Sequence, residues 1–140
     1  MQPLAPDYLA EIARQLGSLS AFLGGFAAAF LGTLLALGQT GRLANWAIRS
    51  AAFAAFAFIV AVVASTKLVV VLHPNAPAGM GATGGGAARA LAGLGFVLGT
   101  YALLLSLACS GWLHSRPTGI FCSLLAAGAF VLITSLLVGA

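Results

Sequence analysis

The segment Lys67–Phe96, KLVVVLHPNAPAGMGATGGGAARALAGLGF, admits two incompatible readings. Gly79, Gly81 and Gly84 satisfy G-x-G-x-x-G, and the order of β-branched run, glycine loop and helix is that of a strand–loop–helix phosphate-binding unit. The alternative makes LVVVL the last turns of a membrane helix and the Pro/Gly stretch a connection to the next helix. The choice decides the fold, a parallel α/β sheet or a helical membrane protein.

The rest of the chain favours the second. Among 140 residues only eight side chains are charged and 61% are apolar. The mean hydropathy is +1.10, outside the range of water-soluble domains. A dinucleotide site also needs an acidic residue about 20 positions on to hold the ribose, and no Asp or Glu follows Glu11. Nucleotide binding is therefore not expected. The six basic residues, Arg14, Arg42, Arg49, Lys67, Arg89 and Arg116, are scattered, so no nucleic-acid partner is expected either.

Four uncharged or nearly uncharged segments span the chain. The 22 residues Gly17–Gly38, GSLSAFLGGFAAAFLGTLLALG, would extend about 33 Å as a helix, enough for a hydrocarbon core of about 30 Å. The second segment runs over 46–72, with Arg49 and Lys67 near its ends as membrane-interface charges that snorkel toward headgroups. The third runs over 87–113 and the fourth over 119–139, joined by HSRPT, which fits only a tight helical hairpin with Pro117 at the entry of the last helix. Backbone polar groups in lipid must be satisfied within each segment, and these are too long and too uniformly apolar for barrel strands. The expected fold is all-α: an integral membrane four-transmembrane-helix bundle over 1–140, with a Gly/Pro loop over 73–86. Tyr8, Leu9, Ile12 and Leu16 share a helical face, which predicts a short N-terminal interfacial helix over about 5–16.

The start, MQPLAPDYLAEIARQ, lacks a basic region leading into a short apolar stretch, so the first segment is expected to remain in the mature protein. The even span count puts both termini on one side, and the basic residues divide three against three between the two sides, leaving orientation open. Abundant Ala and Gly, and Arg outnumbering Lys five to one, fit a GC-rich bacterial genome. The expected location is thus a bacterial inner membrane.

Chemistry-bearing patterns are sparse. Asp7 and Glu11 cannot build a paired-carboxylate site inside the bilayer, and no G-x-S-x-G or serine–base pairing occurs. His73 and His114 fall at segment ends, and no acidic residue lies near either in the sequence. Cys109 and Cys122 sit at similar depths on the last hairpin, paired or as two inert thiols, without the further ligands a metal site needs. No enzyme activity, cofactor or metal is expected.

Helix surfaces say more. In the first segment Ser20, Gly24, Ala28 and Gly32 recur every fourth residue as a helix-packing face, beside a second row of Gly17, Ala21, Gly25, Ala29 and Thr33. Phe22, Phe26 and Phe30 form a ridge elsewhere on the same helix. Small-xxx-small rows let backbones approach closely, which in lipid replaces the hydrophobic drive available in water. The third segment offers Ala92, Gly95, Gly99, Ala102, Ser106 and Cys109 in a similar stripe. These faces pack within the chain or against copies of itself.

Three stretches carry a family resemblance. They are SLSAFLGGFA (Ser18–Ala27), the end of the second segment with AST (Ala64–Thr66) and LHPN (Leu72–Asn75), and LGTYALLLSLACSGW with Gly99, Thr100 and Trp112. On these residues the chain resembles the Orai calcium-channel family, four-helix subunits whose first helix lines the pore of a ring-shaped oligomer. The resemblance implies Gly25, Ala29 and Thr33 as candidate pore-facing positions. The family's acidic filter position falls on Thr33, its basic inner-pore position on Ser18 and its third-helix acidic residue on Ser106. No carboxylate ring can form, so the implied pore is narrow, neutral and of low selectivity. The alternative is a non-conducting structural or accessory subunit of a larger membrane complex. In both readings the partners are the lipid bilayer and either further copies of the chain or that complex.

Overall fold

The computed structural model describes residues 6–38, 40–73 and 80–139. Four helices follow in order: α1 (Pro6–Ala36), α2 (Arg42–Val71), α3 (Met80–His114) and α4 (Arg116–Val138). No strand occurs among the described residues. All four helices contain a stretch long and apolar enough to cross a membrane: Tyr8–Ala36, Arg42–Val71, Gly85–His114 and Arg116–Leu136. The fold is all-α, and four such helices mark a small multi-pass integral membrane protein.

Two boundaries differ from the sequence expectation. α1 is continuous from Pro6, so the segment expected as a separate interfacial helix forms its first turns. Nothing there breaks a helix: Glu11 accepts from Arg14 at 3.1 Å and from Gln15 at 3.2 Å across successive turns, and Gly17 alone costs only about 1 kcal/mol against Ala. Likewise α3 begins at Met80, which makes the second half of the expected 73–86 loop helical, Gly81 and Gly84–Gly86 included. Low glycine propensity counts for less at Gly85 and Gly86, which open the stretch apolar enough to cross a membrane, because every backbone group in lipid needs an internal partner. Residues 74–79 of that loop lie outside the described residues.

The connections follow local chemistry. Between α1 and α2, Gly38 (φ 59°) and Gly41 (φ 130°) adopt backbone angles that side chains disfavour. Ser115 caps α4 in an extended conformation, its hydroxyl accepting from the Thr118 amide at 3.3 Å, and Pro117 occupies the first turn.

The chain divides into two compact units. Unit 1 comprises Met1–Gly25 and Ala55–Gly99, and unit 2 comprises Phe26–Ala54 and Thr100–Ala140. In unit 1, Ala13, Ala64, Leu68, Ala88 and Ala92 form an apolar cluster flanked by Leu16 and Val69. Phe58 is wholly buried there, edge-on to Phe96 with ring centroids 6.2 Å apart. In unit 2, Leu34, Ala47 and Ala51 pack with Phe30, Leu31, Cys109 and Leu113. Ser106 donates to the Ala47 carbonyl at 2.8 Å, Trp112 Nε1 to Ser123 at 2.9 Å, and Tyr101 bonds Thr134 at 2.9 Å.

Candidate functional site

α1 separates into a packed face and an open face, and the division does not follow the four-residue rows. A helix turns about 100° per residue, so a row spaced by four drifts about 40° per step around the surface. Ser20 and Gly24 are accordingly buried in unit 1, whereas Ala28 and Gly32 of the same row are exposed in unit 2. The buried positions of α1 instead read Ala13, Ser20, Gly24, Ala27 and Leu34. At Gly24 a β-carbon would sit 3.1 Å from Phe58 Cβ, so α1 and α2 approach closely on that side of unit 1.

The open face is a seam of small residues. Ser18, Ala21, Gly25, Ala28 and Gly32 are all exposed, at alternating spacings of three and four. That is the spacing by which one helix packs along another with its knobs in register. At Gly25 and Gly32 a β-carbon would meet nothing within 4 Å among the described residues, so these two positions of the face border open space. Of the three candidate pore-facing residues Gly25 belongs to the seam, and Ala29 and Thr33 are exposed beside it, Thr33 donating its hydroxyl proton to the Ala29 carbonyl at 3.0 Å.

In unit 1 two shallow grooves run between the open side of α1 and α2, each with a buried hydroxyl in its lining. One, of about 250 Å³, is bordered by Ser20, Ala21, Gly25, Ile59 and Val63. The other, of about 260 Å³, is bordered by Arg14, Gly17, Ser18, Ser65 and Thr66. The hydroxyls of Ser20 and Ser65 are buried without a hydrogen-bond partner among the described residues. An unpaired hydroxyl in an apolar setting costs roughly 1–3 kcal/mol, so each groove has an unmet acceptor or donor requirement. Sequence reading put Ser20 in a packing row but did not single out Ser65, because a hydroxyl's partner is invisible without the fold.

The interface charges are exposed as well. Arg49 lies about 10 Å along α2 from its first residue and Lys67 about 6 Å from its last, distances their flexible stems can span. Cys109 and Cys122 are free thiols, both half-buried in unit 2. His114 closes α3 in an exposed position. Among the described residues no three His, Cys, Asp or Glu side chains gather in one place. No family model, curated protein or solved structure matches the chain.

Proposed function

We propose that the protein is a homo-oligomeric integral membrane assembly in which copies of α1 meet around an axis through the Ser18–Gly32 seam and enclose a narrow, neutral, weakly selective ion pathway. On residue usage its membrane is the inner membrane of a bacterium. The carrying observation is the seam: five small residues at three-and-four spacing on α1, all exposed, with open space at Gly25 and Gly32 among the described residues. Lipid tails gain little from a flat surface of Gly, Ala and Ser, whereas a second helix backbone gains close van der Waals contact. A pathway bordered by Gly25, Ala29 and Thr33 carries no charge, so it would discriminate poorly among ions and gate by wetting and dewetting.

The test measures particle mass in lipid nanodiscs and current across reconstituted bilayers. Wild type is expected to form a closed ring and to conduct. Gly25→Leu, which meets no neighbour within the chain, is expected to lower the oligomer population about tenfold at unchanged helicity. Gly128→Leu on α4, equally free of neighbours, serves as the control that leaves assembly intact. A monomer with no current overturns the proposal; a ring that stays silent overturns its conducting half; a stable complex with a different membrane protein supports the accessory-subunit reading instead.

A further inference from the structure

Unit 1 holds a groove of about 450 Å³ where α1 begins, α2 ends and α3 begins. Its lining is apolar with one exception. Leu9, Ile12 and Leu16 come from α1, Leu68 and Val71 from α2, Leu72 follows directly after it, and Arg89 is the single charged residue. The space exists because α3 contributes so little bulk there: Gly85, Gly86, Ala92 and Gly93 line it, and a β-carbon at Gly86 or Gly93 would meet nothing within 4 Å. The volume is that of a small-molecule site.

Arg89 is exposed and makes no hydrogen bond or ion pair among the described residues. Glu11 is the one carboxylate among the described side chains, and it is engaged by Arg14 and Gln15. Arg14 and Lys67 are the other basic side chains of unit 1, both exposed, and together with Arg89 against Asp7 and Glu11 they leave the unit a formal side-chain charge of +1. Arg89 lies four residues into the apolar stretch that starts at Gly85, about 6 Å along the helix. From that depth a guanidinium reaches the phosphate level of a bilayer while its stem stays in contact with apolar surface.

We infer that this groove is a binding site for one anionic phospholipid, with an acyl chain along the Gly86–Gly93 trough of α3 and the phosphate held by Arg89. A planar guanidinium presents paired N–H donors that match two phosphate oxygens. The headgroup carries net negative charge, because the one charged residue in the groove lining is the cation Arg89. Basic pockets between membrane helices select anionic lipids on this principle. The inference stands independently of pore formation, since every lining residue belongs to one chain.

The experiment purifies the protein from an equimolar mixture of phosphatidylglycerol and phosphatidylcholine with identical chains, then counts retained lipids by native mass spectrometry. Wild type is expected to prefer phosphatidylglycerol about fivefold. Arg89→Gln is expected to bring the two lipids to parity, whereas Lys67→Gln, a cation in the same unit that does not line the groove, keeps the preference. Gly93→Leu fills the trough and is expected to lower retention of both lipids at unchanged helix content, with Gly86→Leu as a second filling variant. Equal retention by wild type overturns the inference, as does preference surviving in Arg89→Gln or full retention in both filling variants. Displacement of phosphatidylglycerol by added inorganic phosphate would make this a free-phosphate site and also overturn it.

Discussion

The two units hold their helices together by different means. In unit 1 the close contacts set backbone against small residues: a β-carbon at Gly95 would lie 2.9 Å from the Ala57 carbonyl oxygen and 3.2 Å from Ala61 Cβ. Unit 2 also brings helices close at Gly111, where a β-carbon would lie 2.7 Å from Cys122 Cβ, but it adds the directed bonds of Ser106, Tyr101 and Trp112. The buried hydroxyls make the contrast sharper. Ser106 of unit 2 is buried and bonded, whereas Ser20 and Ser65 of unit 1 are buried and unpartnered. Unit 2 satisfies its buried Ser106 within the chain, whereas in unit 1 Ser20 and Ser65 have no partner among the described residues.

The largest expected effect tests close packing in unit 1. Gly95→Val cannot be accommodated without separating α2 from α3 there, because the nearest atoms are backbone and cannot swing away. Overpacking of this kind costs typically about 1–3 kcal/mol. A matching loss is expected when helicity is followed through unfolding in denaturing detergent. Gly93→Leu, two residues away and facing open space, should leave the same transition unmoved. Equal tolerance of both substitutions would remove backbone proximity as the basis of unit 1.

How far the sequence revealed these features depends on what set each one. Span number and type were legible because charge is absent over lengths that match the bilayer, a property of each segment alone. The packed face of α1 was not, because the four-residue row and the true stripe share Ser20 and Gly24 and part only as the drift accumulates toward Ala28 and Gly32. Phe58 gives another case. Phe53, Phe56 and Phe58 are chemically identical and sit on one helix, yet the first two are exposed and the third wholly buried, with Gly24 and Gly99 against it. That difference is written in other helices. The helical start of α3 is hidden by its run of glycines, and the Arg89 groove by the distance in sequence of its α1 wall, more than 50 residues from the other two.

A middle-sized effect compares buried hydroxyls across the units. Ser106→Ala deletes the bond to the Ala47 carbonyl in unit 2, and hydrogen bonds between membrane helices contribute on average about 0.6 and at most about 1.7 kcal/mol. The expected loss lies in the upper part of that range, because Ser106 is wholly buried. It is limited by Ser50, whose hydroxyl also donates to the Ala47 carbonyl at 3.1 Å. Ser20→Ala in unit 1 removes no bond within the chain, so unfolding of the isolated monomer should be unchanged or slightly harder. Any weakening by Ser20→Ala should appear only in assembly, as a lower oligomer mass in nanodiscs. Equal losses from the two substitutions in the monomer would erase the distinction between the units.

The smallest effect belongs to Tyr101 of unit 2. Thr134 Oγ1 donates to the Phe130 carbonyl at 2.7 Å, so its proton is committed and the Tyr101 hydroxyl must be the donor in their 2.9 Å bond. Tyr101→Phe therefore removes a donor while Thr134 keeps its own bond, and no buried group is left with a new unmet requirement. The ring contact with Phe130, at a centroid distance of 4.8 Å, is preserved. A loss of about 0.6 kcal/mol is expected in the same detergent unfolding measurement. Tyr101→Leu, which deletes the aromatic pair as well, should lose about 0.5–1.5 kcal/mol more. If Tyr101→Phe alone reproduced the Leu value, the directed bond would be what attaches α4 in unit 2. If it cost nothing, attachment would rest on ring packing, and the second unit would be closer in kind to the first.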